Sequence, residues 1–185
     1  MAAPPSVEAA RPGRCPGCGV ASRPVGGRPR LVGHGSRGRQ LRGPVQADGP
    51  AQVTEVLLRR YRCRACGAVV SVGPRGLVRR RLFSGAAIAL SLALWAAARQ
   101  SARWVRTQVS PWRVVGASAA ATWSSLRRWA LAVREGRLWP ETVGPVTQAG
   151  ALREVAARAA SKLAALAPGH GHVVVQAFAG AARAR

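Results

Sequence analysis

Two hydrophobic patterns divide this chain near residue 74. Before it, apolar positions come in short β-prone runs: RPRLVGHG, RGRQLRGPV, QVTEVLLRRYRC and GAVVSVGP, the last closed by Pro74. Gly, Pro and Asp separate these runs, as they separate the strands of hairpins, so four strands are expected. After RGLVRRR at residues 75–81 the chain becomes rich in Ala and Leu, with few breakers. SGAAIALSLALWAAAR predicts a helix with Ser84 as its N-cap, apolar all round and therefore buried on several sides. SARWVRTQV predicts a shorter helix, capped by Ser101 and stopped before Pro111. SAAATWSSLRRWALAVREG predicts a third, capped by Ser118 and ended by Gly136. AGALREVAARAASKLAALAPG predicts a fourth, and the last stretch, HGHVVVQAFAGAARAR, reads as a short extended or helical tail.

These patterns suggest a disordered Pro- and Ala-rich tail at residues 1–13, a β unit at 14–73, a basic link at 74–83, a helical domain at 84–136, and a C-terminal helix and tail at 137–185. The run Leu82–Ala98 is 17 uncharged residues long behind Arg79, Arg80 and Arg81. A membrane span needs roughly 20 apolar residues. Amphipathic helices follow it rather than a second span, so a core helix is the stronger reading and membrane insertion the weaker.

Charge narrows the class of partner. The chain carries 29 Lys plus Arg against 6 Asp plus Glu, and Lys162 is the one lysine. A net charge of +23 points to a polyanion, with nucleic acid first and an anionic membrane surface second. The acids Glu8, Asp48, Glu55, Glu135, Glu141 and Glu154 are scattered. Metal-dependent phosphoryl transfer gathers several carboxylates around Mg²⁺, and hydrolysis by a nucleophile needs a recognisable triad. Neither pattern is present, nor is a Walker-type phosphate loop. We therefore expect a protein that is not an enzyme and takes no small-molecule substrate. The start, MAAPPSVEAARPGR, lacks the apolar core of a signal peptide, so a reducing cytoplasmic, nucleoid-associated location is expected.

In that compartment, four cysteines suggest metal binding or redox chemistry rather than structural disulfides. CPGCG at 15–19 and CRACG at 63–67 share the pattern Cys-x-x-Cys-Gly, with 44 residues between Cys18 and Cys63. That gap exceeds the common ~15–20 residues, but hairpin strands between knuckles can lengthen. Four thiolates suit structural, tetrahedral Zn²⁺, so Cys15, Cys18, Cys63 and Cys66 are the candidate ligands. Gly19 and Gly67 can adopt positive φ and turn backbone N–H groups toward sulfur. Arg14, Arg62 and Arg64 can offset the negative charge of the thiolates. The alternatives are a redox dithiol or unligated cysteines, and His34 reads as a loop or surface residue. The fold class is thus α+β: a small β zinc ribbon followed by a helical bundle of helix-turn-helix type.

On the 118–135 helix, Ala119, Thr122, Leu126, Trp129, Ala130 and Val133 fall on one side and can face a core. Ala120, Ser124, Arg127, Arg128 and Leu131 fall on the other. Ser124, Arg127 and Arg128 suit a major groove, since Arg reads guanine edges and Ser contacts bases or phosphates. An ordinary solvated face is the alternative. Six tryptophans suit core packing first and base stacking second.

The stretch CPGCG … RRYRCRACGAVVSVGPRGLVRRRLFSGAAIALSLALW resembles the zinc-binding, helix-turn-helix N-terminal part of bacterial insertion-sequence transposases. It also resembles stand-alone helix-turn-helix proteins from high-GC bacteria. The resemblance covers residues 14 to about 135. It implies that the four cysteines are zinc ligands and that SPWRVVGASAAATWSSLRRW is the turn and recognition helix. It further implies double-stranded DNA as partner, with a transposase or a second copy as a further one. No acidic catalytic domain follows, so binding without cleavage is expected. An RNA- or protein-binding zinc ribbon is the alternative function, and a small membrane-associated protein a more remote one.

Overall fold

The computed structural model describes residues 5–112, 115–116, 123–144, 151–169 and 171–184. The fold is mixed α+β. Strands β1 (Leu31–Gly43), β2 (Gln52–Cys63) and β3 (Val69–Val72) form an antiparallel sheet in the order β1-β2-β3. Among the described residues five helices follow: α1 (Gly85–Ala96), α2 (Ala102–Val109), α3 (Ser124–Arg134), α4 (Leu152–Ala164) and α5 (Val173–Ala181). The chain divides into two compact units, residues 1–40 with 55–74, and residues 41–54 with 75–185. This division departs from the boundaries read in the sequence. The hairpin end at 41–54 belongs to the helical unit, and residues beyond 137 belong there too.

The first unit has a very small core. Its fully buried apolar residues are Cys15, Leu31, Tyr61 and Cys63, with Val7, Ala10, Val20, Val70 and Val72 packed against them. In the β2–β3 ladder, Tyr61 pairs with Val70 and Arg59 with Val72, which sets one face toward this core. Arg60 pairs with Ser71 and Arg62 with Val69 on the opposite face. Two sequence expectations change here. The runs RPRLVGHG and RGRQLRGPV form one strand, not two, because Gly35 takes φ 77° within β1 instead of ending it. A single positive-φ glycine inside a strand acts as a bulge rather than a turn. Residues 5–13, expected to be disordered, instead cover the sheet. Tyr61 donates its hydroxyl to the Val7 carbonyl at 2.7 Å, and Arg59 Nε donates to the Pro5 carbonyl at 2.8 Å. Glu8 pairs with Arg11 and Arg23. A core this small leaves apolar surface that the N-terminal segment closes.

In the second unit, the end of β1 is stitched to the start of α1. The Arg42 N–H donates to the Leu82 carbonyl at 2.8 Å, and the Ser84 N–H donates to the Arg42 carbonyl at 3.1 Å. That holds Ser84 in place as N-cap, where its Oγ accepts from the Ala87 N–H. Phe83, between them, meets Trp123 and Trp129 edge-on at centroid distances of 6.0 and 5.1 Å. Nine of the twelve α1 residues are buried, as expected of a helix that is apolar all round, and α4, α5, α2 and α3 pack around it. At 12 residues α1 is about 18 Å long, against about 30 Å of bilayer hydrocarbon. No described helix is long and apolar enough to cross a membrane.

The capping expectations for Ser84 and Ser101 hold. Ser118, Ala119, Ala120 and Thr122 lie outside the described residues. Helix α3 is described from Ser124, with Leu126, Trp129, Ala130 and Val133 buried. The C-terminal stretch left open between strand and helix forms α5. Helix α5 packs on α4 through small residues: Ala156, Ala159 and Ala160 on one, Ala177, Gly180 and Ala181 on the other. A methyl group at Gly180 would run into the Leu163 carbonyl.

Gly180→Ala should therefore force the two helices apart and cost about 1–3 kcal/mol of stability, read as a lower urea midpoint. Trp129→Ala removes the centre of the aromatic cluster and should cost about 3–5 kcal/mol. An unchanged midpoint in either variant would contradict this packing.

Candidate metal centre

The two knuckles are built alike. In the first, the Cys15 N–H donates to Val20 and the Gly19 N–H to Cys15, at 2.9 and 2.8 Å. In the second, the Cys63 N–H donates to Ala68 and the Gly67 N–H to Cys63, both at 2.9 Å. Each is the tip of a hairpin, one bridged at Arg14–Ala21 and the other carried by β2 and β3. Closing so tight a turn needs a left-handed residue after the second cysteine. Gly19 and Gly67 supply it with φ 71° and 75°, as expected from the Cys-x-x-Cys-Gly pattern.

The hairpin tips bring Cys15, Cys18, Cys63 and Cys66 together, with all four Sγ atoms within 4.8 Å of one another. Cys15 and Cys66 stand 3.8 Å apart across the knuckles, as do Cys18 and Cys63. Four thiolates placed tetrahedrally with bonds of about 2.3 Å lie about 3.8 Å apart, so the four sulfurs fit one metal ion. The separation is far too long for a disulfide bond of about 2.05 Å, and all four cysteines are free thiols. A redox dithiol requires one pair, and here the second pair points at the same place. Cys15 and Cys63 are buried, while Cys18 and Cys66 are exposed, so an ion here would sit at the edge of the unit.

The backbone prepares the sulfurs unequally. The Cys66 N–H, opposed by burial and joined by the Ala65 N–H, lowers the Cys63 thiol to about 7. The Val20 N–H pulls on Cys18, but the facing Cys66 sulfur, burial and the sulfurs of Cys15 and Cys63 outweigh it and push Cys18 up to about 12. Without an ion, then, Cys63 gives up its proton more readily than Cys18 does. Metal binding must displace the Cys18 proton, and so releases acid.

The other residues singled out in the sequence are spread over separate elements. Arg14 lies over the first knuckle and donates from Nη1 to the Gly19 carbonyl at 3.3 Å. Arg64 lies within the second, with its backbone N–H bonded to the Arg30 carbonyl at 2.8 Å. Arg62 and His34 are exposed. Ser124, Arg127 and Arg128 are exposed on α3, and Arg128 donates to Ser125 Oγ on its own helix. Arg79 and Arg80 are exposed in a turn before α1, where the Arg81 N–H donates to the Val78 carbonyl. Arg28 and Arg30 line a cavity beside the second knuckle that no sequence pattern marks, because only the fold brings residue 30 to residue 64. The tryptophans divide: Trp123, Trp129 and Trp139 are buried, whereas Trp104 and Trp112 are 41 and 54 % exposed.

Cys63→Ser should abolish stoichiometric metal binding, measured by native mass spectrometry, and should loosen residues 5–40 and 55–74 in hydrogen exchange. Metal affinity should also weaken as the pH is lowered. Above about 7 Cys63 is already a thiolate, whereas below it one more proton must be displaced. The plot of log affinity against pH should therefore steepen below about 7. A flat plot would contradict thiolate ligation.

No family model, no curated protein and no solved structure matches this chain.

Proposed function

We propose that this chain is a zinc-containing, non-catalytic protein that binds double-stranded DNA, with Zn²⁺ held by Cys15, Cys18, Cys63 and Cys66 as a structural ion. The observation that carries the reading is a four-sulfur cluster set in a chain with 29 basic and 6 acidic residues. A closed four-thiolate site has no open position for substrate, so such an ion organises the backbone rather than reacting. Two of the acids, Glu8 and Glu135, are already engaged by Arg11, Arg23 and Arg137. That leaves little carboxylate for phosphoryl transfer and a large surplus of guanidinium for phosphates. The resemblance to the DNA-binding part of insertion-sequence transposases points the same way, and a mobile-element regulator is the role it suggests.

In this reading α3 presents Ser124, Arg127 and Arg128 to the major groove, and the Arg79–Arg81 turn adds phosphate contacts. The short connection at residues 97–101 makes α1 and α2 an alternative helix-turn-helix pair. Helix α2 exposes Arg103, Thr107 and Gln108, side chains that suit base edges. Exposed Trp104 and Trp112, the latter under Arg42 at 5.5 Å, favour a second reading in which unpaired bases stack.

Duplex affinity should fall steeply with salt, with a slope near −5 in log–log form if about 6 phosphates are contacted. Arg127→Ala should leave the melting temperature unchanged and cost about 1–3 kcal/mol of binding if it reads a base. A salt-independent affinity would remove DNA as partner. Preference for single strands over duplex would favour the stacking reading.

A further inference from the structure

Beside the second knuckle lies an open cavity of about 310 Å³, lined by Pro24, Arg28, Pro29, Arg30, Arg64 and Ala65 among others. The loop at residues 22–30 that forms it is tied at its base and its tip. The Arg30 N–H donates to the Ser22 carbonyl at 2.8 Å, and the Gly27 N–H to the Pro24 carbonyl at 3.1 Å. Pro24 and Pro29 fix φ on either side of that turn. A further bond of 2.8 Å, from the Arg64 N–H to the Arg30 carbonyl, joins the loop to the knuckle. The three arginines therefore spring from restrained backbone, which lowers the entropy cost of gathering them on a ligand.

The ion pairs of Arg11, Arg23 and Arg137 are made with Glu8 and Glu135, and neither acid lines this cavity. Three arginines and no carboxylate line this one cavity, a concentration of positive charge that an anion would offset. Planar guanidinium forks match the oxygens of a phosphate, which several can grip at once. Arg60 and Arg62 continue the positive charge along the outer face of β2, at about 6.8 Å per two residues. That row suits a polyanion better than an isolated small anion.

We infer that Arg28, Arg30 and Arg64 form a receptor for one phosphate group, the phosphodiester of a bound nucleic-acid strand. The inference rests on the nucleic-acid reading above and places part of the contact on the first unit rather than on the helices. Free phosphate shares this chemistry, so two probes are needed.

The test compares the full-length, metal-loaded protein with its Arg28→Gln/Arg64→Gln variant, and with Arg158→Gln/Arg183→Gln, two exposed arginines outside the proposed DNA contacts, as a control of equal charge. The first probe is a duplex oligonucleotide titrated over a salt series. The second is inorganic pyrophosphate, followed through the Arg64 Nε–Hε resonance. The cavity variant should keep its metal, and its log–log salt slope should shrink by about 1, with all sequences weakened alike. The control should keep the wild-type slope, and pyrophosphate should shift the Arg64 resonance. An unchanged slope in the cavity variant, while the wild type binds duplex, would overturn this inference and leave the DNA reading intact. Loss of metal from the variant would also overturn it, since the arginines would then serve the thiolates alone. If the wild type fails to bind duplex, the DNA reading falls. The pyrophosphate arm then decides the phosphate receptor: a shift upholds it, and no shift overturns it.

Discussion

The convergence of four sulfurs is the interaction on which the first unit depends. Two of its four fully buried apolar residues are themselves cysteines, Cys15 and Cys63, and the other two are Leu31 and Tyr61. A core of that size supplies little stability to a segment of this length. A structural zinc site contributes about 10–16 kcal/mol of coupled folding and binding energy in small peptides, enough to replace a core. The same ion would join Cys18 and Cys63, with 44 residues between them, and fix the β2–β3 turn that carries Arg64. Everything proposed for the cavity of Arg28, Arg30 and Arg64 inherits its geometry from that knuckle.

The helical unit rests on different physics. Its centre is α1, where Ala87, Ile88, Ala89, Leu90, Leu92 and Ala93 are buried on every side. Small residues let the neighbouring helices approach closely, with Gly180 against the Leu163 carbonyl as the tightest case. Phe83, Trp123 and Trp129 close one end with edge-on ring contacts. The exposed arginines of this unit sit on a scaffold built chiefly on apolar burial.

Much of this was legible in the sequence, and the rest was hidden for identifiable reasons. The helices capped by Ser84 and Ser101 could be read because capping serine, apolar run and breaker are all local signals. The cysteine cluster could be read because each Cys-x-x-Cys-Gly is a complete local turn, and only the meeting of the two was inferred. The order of the N-terminal segment is not legible, because Pro- and Ala-rich composition says nothing about the Val7 carbonyl to which Tyr61 donates. The bulge at Gly35 looked like a strand end because glycine marks both. Arg28 and Arg30 were invisible because their cavity exists only after residue 30 meets residue 64. The split of the tryptophans into buried and exposed sets follows from tertiary packing that no periodicity reveals.

The central claim is that Cys15, Cys18, Cys63 and Cys66 hold one metal ion and that this ion organises the first unit. X-ray absorption at the zinc edge of the purified protein tests it most directly. The account predicts a single shell of four sulfur atoms at about 2.3 Å. A shell containing nitrogen or oxygen ligands, fewer than four sulfurs, or no bound zinc in a folded protein would contradict it.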